Sequence, residues 1–297
     1  MVRGCVDMNE TREEPMADLT FGARLRRAMD KRGPLCVGID PHGQLLNSWG
    51  LATDIAGLEK FSRTVVAALG ERVAVFKPQS AFFERFGSAG IRVLEKVVSE
   101  ARDAGALVLL DVKRGDIGST MQAYAHAYLD PASPLGVDAV TASPYLGFGS
   151  LSPMIDIAMA HRCGVFVLAL TSNPEGASVQ HARTPDGRTV AQTVIDEVAH
   201  LNRDAKSLGS IGLVVGATVG DTGHDLSKVR GPLLAPGLGT QGGTPEDLRT
   251  VFADALPWVV PAYSREVLKH GPSLAGLRDA ATKVGRACRT ALGYPEL

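Results

Sequence analysis

The sequence contains only four cysteines in 297 residues, and no two of them form a C-x-x-C motif. A secreted disulfide scaffold needs denser cysteines, and a structural zinc site needs clustered ligands. Neither class of protein is therefore expected. The cysteines are predicted to be reduced thiols, which is typical of a cytoplasmic protein.

An excess of charge of one sign is also missing. Lys and Arg number 31, Asp and Glu number 32, and the net charge is −1. Domains that bind nucleic acid carry a basic excess, so no nucleic-acid partner is predicted. No uninterrupted apolar stretch approaches the roughly 18 residues that a membrane helix needs, and the first residues lack the apolar core of a signal peptide. We therefore predict a soluble protein without a membrane partner.

Short apolar runs of strand type alternate with longer amphipathic segments along the chain. Near-continuous apolar strands are typical of a sheet that is covered on both faces. Predicted strands lie at residues 35–39, 73–77, 107–111, 137–141, 165–170, 212–216, 233–236 and 258–261. Predicted helices include residues 58–69, 91–104 and 189–208.

Eight strands that alternate with helices favour the α/β class and a (β/α)₈ barrel, with an open doubly wound sheet as the structural alternative. We expect residues 1–18 to form a flexible extension, because they are polar and acidic, and residues 19–297 to form a single barrel domain.

Charged residues close the first three predicted strands: Asp40, Lys77 and Asp111. Barrel enzymes place their chemistry at the carboxyl ends of the strands. On the third strand, alternation puts Asp111 and Lys113 on one face, and Asp116 follows in a turn. Buried charges are costly unless they compensate each other. Lys77, Asp111, Lys113 and Asp116 sum to zero and are therefore predicted to share one site.

The segment after the seventh strand predicts a phosphate site. Its glycines match G-x-G-x-x-G, but they lie late in the chain and lack the opening βαβ unit of a dinucleotide fold. Glycines let the backbone approach an anion closely. Thr244 is expected to cap a helix whose first residue is Pro245, and free amides at a helix start bind anions. Gln241 adds a donor, and Arg265 after the eighth strand can clamp phosphate with two hydrogen bonds.

Other catalytic patterns are lacking. The seven histidines are scattered without H-E-x-x-H, and no serine lies in G-x-S-x-G. The sequence therefore predicts neither a nucleophile triad nor a metal site.

Three segments, FKPQSAFFERFG, LDVKRGDIGST and APGLGTQGG, occur in that order. Together they resemble the orotidine 5′-phosphate decarboxylase family, and its bacterial type 2 branch in particular. The resemblance runs from about residue 35 to residue 265. It implies a (β/α)₈ barrel that works as a cytoplasmic homodimer without metal or organic cofactor. It also implies conversion of orotidine 5′-phosphate to uridine 5′-phosphate and CO₂, the last step of de novo pyrimidine synthesis.

The resemblance also implies roles for particular residues. Lys113 matches the lysine that protonates C6 of the pyrimidine, and Asp111 matches the carboxylate beside the departing CO₂. Lys77 and Asp40 match residues that hold the ribose hydroxyls and complete the charge network. Matches to the phosphate-binding segment are Pro236, Gln241 and Arg265.

The remaining matches concern the dimer and the base. Asp116, with Ile117 and Thr120, resembles the segment that one subunit supplies to the other across the dimer interface. Ser172 resembles the serine that contacts the pyrimidine amide, with Thr171 and Asn173 as alternatives. In the eighth strand, Ser264 stands where the family has a glycine before the arginine.

Two other functions stay open at this point. A Mg²⁺-dependent sugar-phosphate decarboxylase or aldolase would share the Asp-x-Lys-x-x-Asp strand, but relatives of that kind hold the ion with a carboxylate on the second strand. Lys77 stands there and would repel a cation. The other alternative is a non-catalytic nucleotide-phosphate-binding barrel, which would need the phosphate loops but not the alternating charges.

Overall fold

Eight short parallel strands close on themselves in a computed structural model that describes residues 19–295. Each strand pairs with its sequence neighbour, and the eighth pairs with the first through Cys36 and Ala262. The strands are β1 (Cys36–Ile39), β2 (Val75–Pro78), β3 (Leu107–Arg114), β4 (Ala139–Ala142), β5 (Gly164–Leu170), β6 (Ile211–Val215), β7 (Leu233–Ala235) and β8 (Val259–Tyr263). The predicted (β/α)₈ barrel is confirmed, and the closed pairing excludes an open sheet.

Helices surround the barrel and cover its amino-terminal end. They are α1 (Phe21–Arg32), α2 (Gly43–Ser48), α3 (Ile55–Leu69), α4 (Ala81–Glu84), α5 (Gly87–Asp103), α6 (Gly118–Leu129), α7 (Ser152–Ala160), α8 (Ala177–Gln180), α9 (Val190–Asn202), α10 (Asp247–Phe252), α11 (Arg265–Leu268) and α12 (Leu274–Leu292). Short 3₁₀ helices occupy Phe148–Leu151, Pro174–Gly176 and Ala253–Trp258. The polar segment at residues 173–188, after β5, contains one of these 3₁₀ turns and α8.

Helix α1 closes the barrel at the amino-terminal ends of the strands. Phe21, Leu25 and Met29 recur every four residues and therefore share one face of the helix. All three are buried in an inner cluster with Leu107 and Leu109 of β3. These two leucines therefore point into the barrel, and the polar end of β3 lies at the opposite rim.

The predicted helices exist, but one of them is shorter than expected. The prediction for residues 189–208 is wrong at its carboxyl end, because α9 stops at Asn202. The buried amide of Asn202 donates to the carbonyls of Ile211 (2.7 Å) and Val229 (3.0 Å). These bonds turn the chain toward β6 six residues earlier than the hydrophobic pattern indicates.

The expected extension at residues 1–18 lies outside the described residues, and its boundary stays a prediction. Between residues 19 and 295, no helix combines the length and the hydropathy needed to cross a membrane.

Candidate active site

A cavity of about 430 Å³ opens at the carboxyl ends of the strands, where barrel enzymes place their chemistry. Its walls come from strand ends and from the loops that follow them. It brings together eight of the predicted site residues: Asp40, Lys77, Asp111, Lys113, Ser172, Pro236, Gln241 and Arg265. The polar ends of strands far apart in sequence therefore converge as predicted.

Asp111 is the centre of a charge network on the floor of this cavity. One of its oxygens, Oδ2, accepts from Lys77 Nζ at 3.0 Å, and the other, Oδ1, accepts from Lys113 Nζ at 2.6 Å. Asp111 and Lys77 are 6% and 7% exposed, whereas the side chain of Lys113 is 45% exposed. The carboxylate is thus buried between two cations, and only Lys113 reaches toward the open part of the cavity.

This pairing fixes the ionisation of the buried groups. Burial on its own would raise the pKa of Asp111, but Lys77 and Lys113 outweigh it and lower that pKa to about 2. Burial would likewise lower the pKa of Lys77, yet the carboxylates of Asp111 and Asp40 hold it above its ordinary value. Asp111 and Lys77 are therefore both charged at neutral pH.

Thr141, at the end of β4, is a site residue that was missed by the sequence interpretation. Its hydroxyl donates to Asp111 Oδ1 at 2.8 Å and accepts from the backbone amides of Val112 (3.0 Å) and Lys113 (2.9 Å). A polar residue that closes an apolar strand is the same signal that identified Asp40 and Lys77. Thr141 holds both the carboxylate and the backbone that carries the lysine.

The backbone of Lys113 departs from regular strand geometry. Its φ is 45°, in the left-handed region that is uncommon for a residue with a side chain, and the register between β3 and β4 shifts between Leu110 and Arg114. Regular strand geometry is therefore interrupted at Lys113. Its ammonium nevertheless lies 2.6 Å from Asp111 Oδ1, so the two side chains do share one face, and Thr141 holds the irregular amides. Such strain is concentrated at functional sites.

Asp40 and Ser264 present polar atoms that are unpaired within residues 19–295. Asp40 Oδ1 and Ser264 Oγ are buried without a hydrogen bond, and both residues line the cavity. A Cβ atom on Gly38 would lie 2.9 Å from Ser264 Cβ and 3.1 Å from Asp40 Oδ2, so the glycine permits this close arrangement. Because unpaired buried polar atoms are costly, this pair is suited to the hydroxyl groups of a ligand.

The opposite wall presents Gln241 and Arg265 beside a glycine-rich turn. Gly237 and Gly242 have φ values of 100° and 99°, which L-residues with side chains rarely adopt. The predicted cap at Thr244 is present: its hydroxyl accepts from the Asp247 amide at 3.3 Å, and its own amide donates to the Asp247 carboxylate at 2.8 Å. The predicted helix start is wrong, because helix α10 begins at Asp247 rather than at Pro245. The anion donors of this wall are therefore the loop, Gln241 and Arg265.

Residues 33–275 match the model of the orotidine 5′-phosphate decarboxylase / HUMPS family. The chain belongs to this family. A curated relative from Salinispora arenicola, named orotidine 5′-phosphate decarboxylase, is 68% identical over 273 residues, which cover 92% of this chain and 98% of that protein. A relative of the same name from Streptomyces coelicolor is 62% identical over 273 residues, with the same two coverages.

Solved structures agree with this assignment. A crystal structure from Streptomyces avermitilis has a TM-score of 0.90 and 62% identity, over 92% of this chain and 96% of that chain. The orotidine monophosphate decarboxylase of Leishmania donovani has a TM-score of 0.74 and 30% identity, over 93% of this chain and all of that chain. The predicted family and the predicted enzyme class, a carboxy-lyase, are confirmed.

Three residues that the family resemblance assigns to the active site lie outside this cavity. Asp116, Ile117 and Thr120 follow β3 at the surface, and Ile117 is 62% exposed. Asp116 Oδ1 accepts only a local hydrogen bond from the Ile117 amide, at 2.8 Å, among the described residues. Their predicted contribution to the site of a second subunit stays a prediction.

The loop after β5 distinguishes between the three candidates for the pyrimidine contact. Thr171 Oγ1 donates to Asn173 Oδ1 at 2.6 Å and accepts from Gln180 Nε2 at 2.7 Å. These two candidates are therefore engaged with each other. The exposed hydroxyl of Ser172 lines the cavity and has no hydrogen bond within the described part of the chain.

Proposed function

We propose that this cavity converts orotidine 5′-phosphate to uridine 5′-phosphate and CO₂, with its own side chains supplying the chemistry. The observation that carries the proposal is the Lys77–Asp111–Lys113 chain of ion pairs on the floor of a cavity whose far wall presents Gln241 and Arg265. The floor can stabilise charge on a ring, and the far wall can hold a phosphate.

Lys113 is the proposed acid. When the bond between C6 and the carboxylate breaks, CO₂ leaves and the electron pair stays on C6. The fixed ammonium attracts that charge most strongly as it develops, so it stabilises the transition state more than the ground state. A proton then passes from Nζ to C6, and the new C–H bond completes uridine 5′-phosphate.

Asp111 and Lys77 set the conditions for this step. Asp111 holds the ammonium of Lys113 at 2.6 Å and favours its charged form. Lys77 neutralises the second oxygen of the same carboxylate, so the buried anion stays ionised. The three groups form a preorganised charge pattern that changes little during the reaction.

The rest of the cavity is assigned to substrate binding. Gln241 and Arg265 bind the phosphate, Asp40 binds the ribose hydroxyls, and the free hydroxyl of Ser172 contacts the pyrimidine amide. Pro236 precedes the glycine turn and shapes the wall between base and phosphate. Binding energy from the distant phosphate can hold the ring against Lys113.

We also propose a homodimer in which Asp116, Ile117 and Thr120 complete the site of the partner subunit. Ile117, Tyr145 and Leu146 are 62%, 79% and 53% exposed, and they follow adjacent strands at the same rim as the cavity. Exposed apolar side chains in one region are typical of a protein interface.

Mixed dimers test the shared site. Lys113→Ala and Asp116→Ala are each expected to be inactive alone, but their mixture should recover about a quarter of wild-type activity, since half of the dimers are mixed and hold one intact site. Lys113→Ala mixed with Lys77→Ala is the control and should recover nothing. Equal recovery in both mixtures would refute the shared site.

A Mg²⁺-dependent reaction on a sugar phosphate is the second candidate, because the family model covers more than one activity. The position of Lys77 opposes it. Its ammonium lies 3.0 Å from Asp111 and would repel a divalent cation there. A non-catalytic nucleotide-binding barrel would not require this compensated charge network.

The deciding experiment mixes the full-length protein with orotidine 5′-phosphate and EDTA and follows the ultraviolet absorbance of orotate. We expect turnover that EDTA does not change. Activity that EDTA abolishes would support the metal-dependent reaction, and binding without CO₂ release would support the non-catalytic barrel.

The cysteines support a cytoplasmic location for this activity. Cys36, Cys163 and Cys288 are buried free thiols. Burial raises their pKa values to about 12, 11 and 12, so they are inert thiols of the kind found in a reducing compartment.

A further inference from the structure

A second and larger cavity, of about 700 Å³, lies at the opposite end of the barrel. It is bounded by the end of α1, by the residues that precede β1 and β2, and by the face of α12 that runs from Arg278 to Thr290. The strands separate it from the site around Asp111. The mechanism proposed above uses none of its residues.

The lining of this cavity is strongly basic. One carboxylate, that of Glu71, faces six cationic side chains, which leaves five positive charges in excess. The six cations are Lys31, Arg32, Arg72, Arg278, Arg286 and Arg289. Such a concentration is unexpected in a chain whose net charge is −1. We refer to these six side chains and their cavity as the basic cavity.

Only some of these cations are explained by contacts that stabilise the fold. Arg32 donates to the carbonyls of Gly70 (2.9 Å) and Val73 (3.2 Å), and Arg278 donates to that of Ala68 (3.1 Å). Helices α1 and α12 both end here, and each carboxyl end contributes about half a negative charge. Those two ends together offset about one positive charge of the five.

The other cations lack counter-ions in the described structure. Among residues 19–295, none of the six takes part in a salt bridge, and Lys31, Arg72 and Arg286 also make no hydrogen bond through their side chains. Some surface arginines elsewhere in this chain do have carboxylate partners: Arg63 lies 2.7 Å from Glu100, and Arg188 lies 2.7 Å from Asp186. The basic cavity differs from them because it gathers six cations around one space with a single carboxylate.

Arg289 gives an independent indication of a ligand. Its side chain is only 8% exposed, yet Nε and Nη1 are buried without a hydrogen bond, while Nη2 donates to the Pro295 carbonyl. A Cβ on Gly33 would lie 3.3 Å from Arg289 Nη1, so the glycine leaves room beside the guanidinium. Unpaired buried donors on a charged group are costly, and an anion in the cavity would satisfy them.

We propose that the basic cavity is a binding site for an anion that carries several phosphate groups. Guanidinium groups match phosphate oxygens with paired hydrogen bonds, and four of the six cations are half-buried or exposed arginines around one concave space. A single phosphate would leave most of the cations unpaired. The net charge of the chain, −1, disfavours nucleic acid as the occupant.

Calorimetric titration with inorganic tripolyphosphate tests this site. The full chain carries Arg265→Ala in every sample, so that binding at the active-site phosphate wall is weakened. Replacing Arg72 and Arg286 together by Ala should weaken tripolyphosphate binding by about tenfold or more, since two charge-assisted contacts are lost. Arg92→Ala, on the exposed face of α5, is the matched control and should bind as the parent does.

Two further titrations test which anion the site binds and whether Arg289 contacts it. A nucleoside triphosphate that binds more tightly than tripolyphosphate, with the same dependence on Arg72 and Arg286, would show that the site takes nucleotides. Arg289→Lys keeps the charge but loses the paired donors, and should therefore weaken tripolyphosphate binding. Orthophosphate should bind poorly to every variant. Equal tripolyphosphate affinity in the double variant and in the Arg92 control would overturn the proposal. Binding of duplex DNA without binding of tripolyphosphate would overturn it as well.

Discussion

The two ends of the barrel hold charge in opposite ways. At the carboxyl end, Asp111 lies between two ammonium groups at 3.0 Å and 2.6 Å. At the amino end, six cations surround a cavity with one carboxylate, that of Glu71, and none of them forms a salt bridge within the described residues. Paired charges are held in a fixed geometry by the fold, whereas unpaired charges need a mobile counter-ion.

This difference separates catalysis from simple binding. In the proposed mechanism, a compensated network keeps Lys113 oriented before substrate arrives, so little reorganisation is needed when charge develops on the ring. An uncompensated cluster contributes affinity for whatever anion enters, and salt screens that affinity. The two sites should therefore respond differently to the loss of single charges.

Asp111→Asn is expected to have a larger effect than the next two changes. It removes the counter-ion that Lys77 and Lys113 share, and turnover should fall by about 10²- to 10³-fold. Asp156→Asn, on the exposed face of α7, is the matched control. The measurement is the steady-state turnover of orotidine 5′-phosphate by each variant. Equal rates for the two variants would show that the charge network does not contribute to catalysis.

Arg265→Ala should weaken binding at the carboxyl end only. Loss of a charge-assisted contact to phosphate costs about 1.5–3 kcal/mol, which corresponds to about 10- to 100-fold in the Kd of uridine 5′-phosphate. Arg286→Ala, in the basic cavity, should leave that Kd unchanged. If both variants raise the Kd of uridine 5′-phosphate equally, the two ends do not act as separate sites.

The pH dependence of stability gives a smaller effect. The pKa of Asp111 is about 2 in the folded chain and about 3.9 in an unfolded one, so its pairing stabilises the fold above pH 4. This contribution, about 2 kcal/mol, is lost as the pH falls through about 2. In urea unfolding, the stability difference between wild type and Asp111→Asn should shrink from pH 5 toward pH 2. A constant difference would contradict the lowered pKa.

The charged end of the barrel could be predicted because its signals are local. Asp40, Lys77 and Asp111 each close an apolar strand, and the carboxyl ends of parallel barrel strands lie at one rim. Thr141 and Ser264 give weaker signals, since a neutral hydroxyl at a strand end is also compatible with an ordinary loop. Their roles depend on contacts with strands that are neighbours only in the closed barrel.

Other features depend on contacts that the sequence pattern does not encode. The left-handed backbone of Lys113 is held by Thr141 from β4, and α9 ends where the Asn202 amide reaches two distant carbonyls. The basic cavity joins Arg32 of α1 to Arg289 of α12, which are more than 250 positions apart. Only the folded chain brings those charges together.

The most direct test of the central claim measures turnover and ligand binding on the same sample of Lys113→Ala. Because the proposed role of Lys113 is to stabilise the developing charge and to supply the proton, turnover should fall by at least about 10⁴-fold while uridine 5′-phosphate binding stays measurable. Turnover close to that of the wild type would contradict the assignment of Lys113 as the catalytic acid.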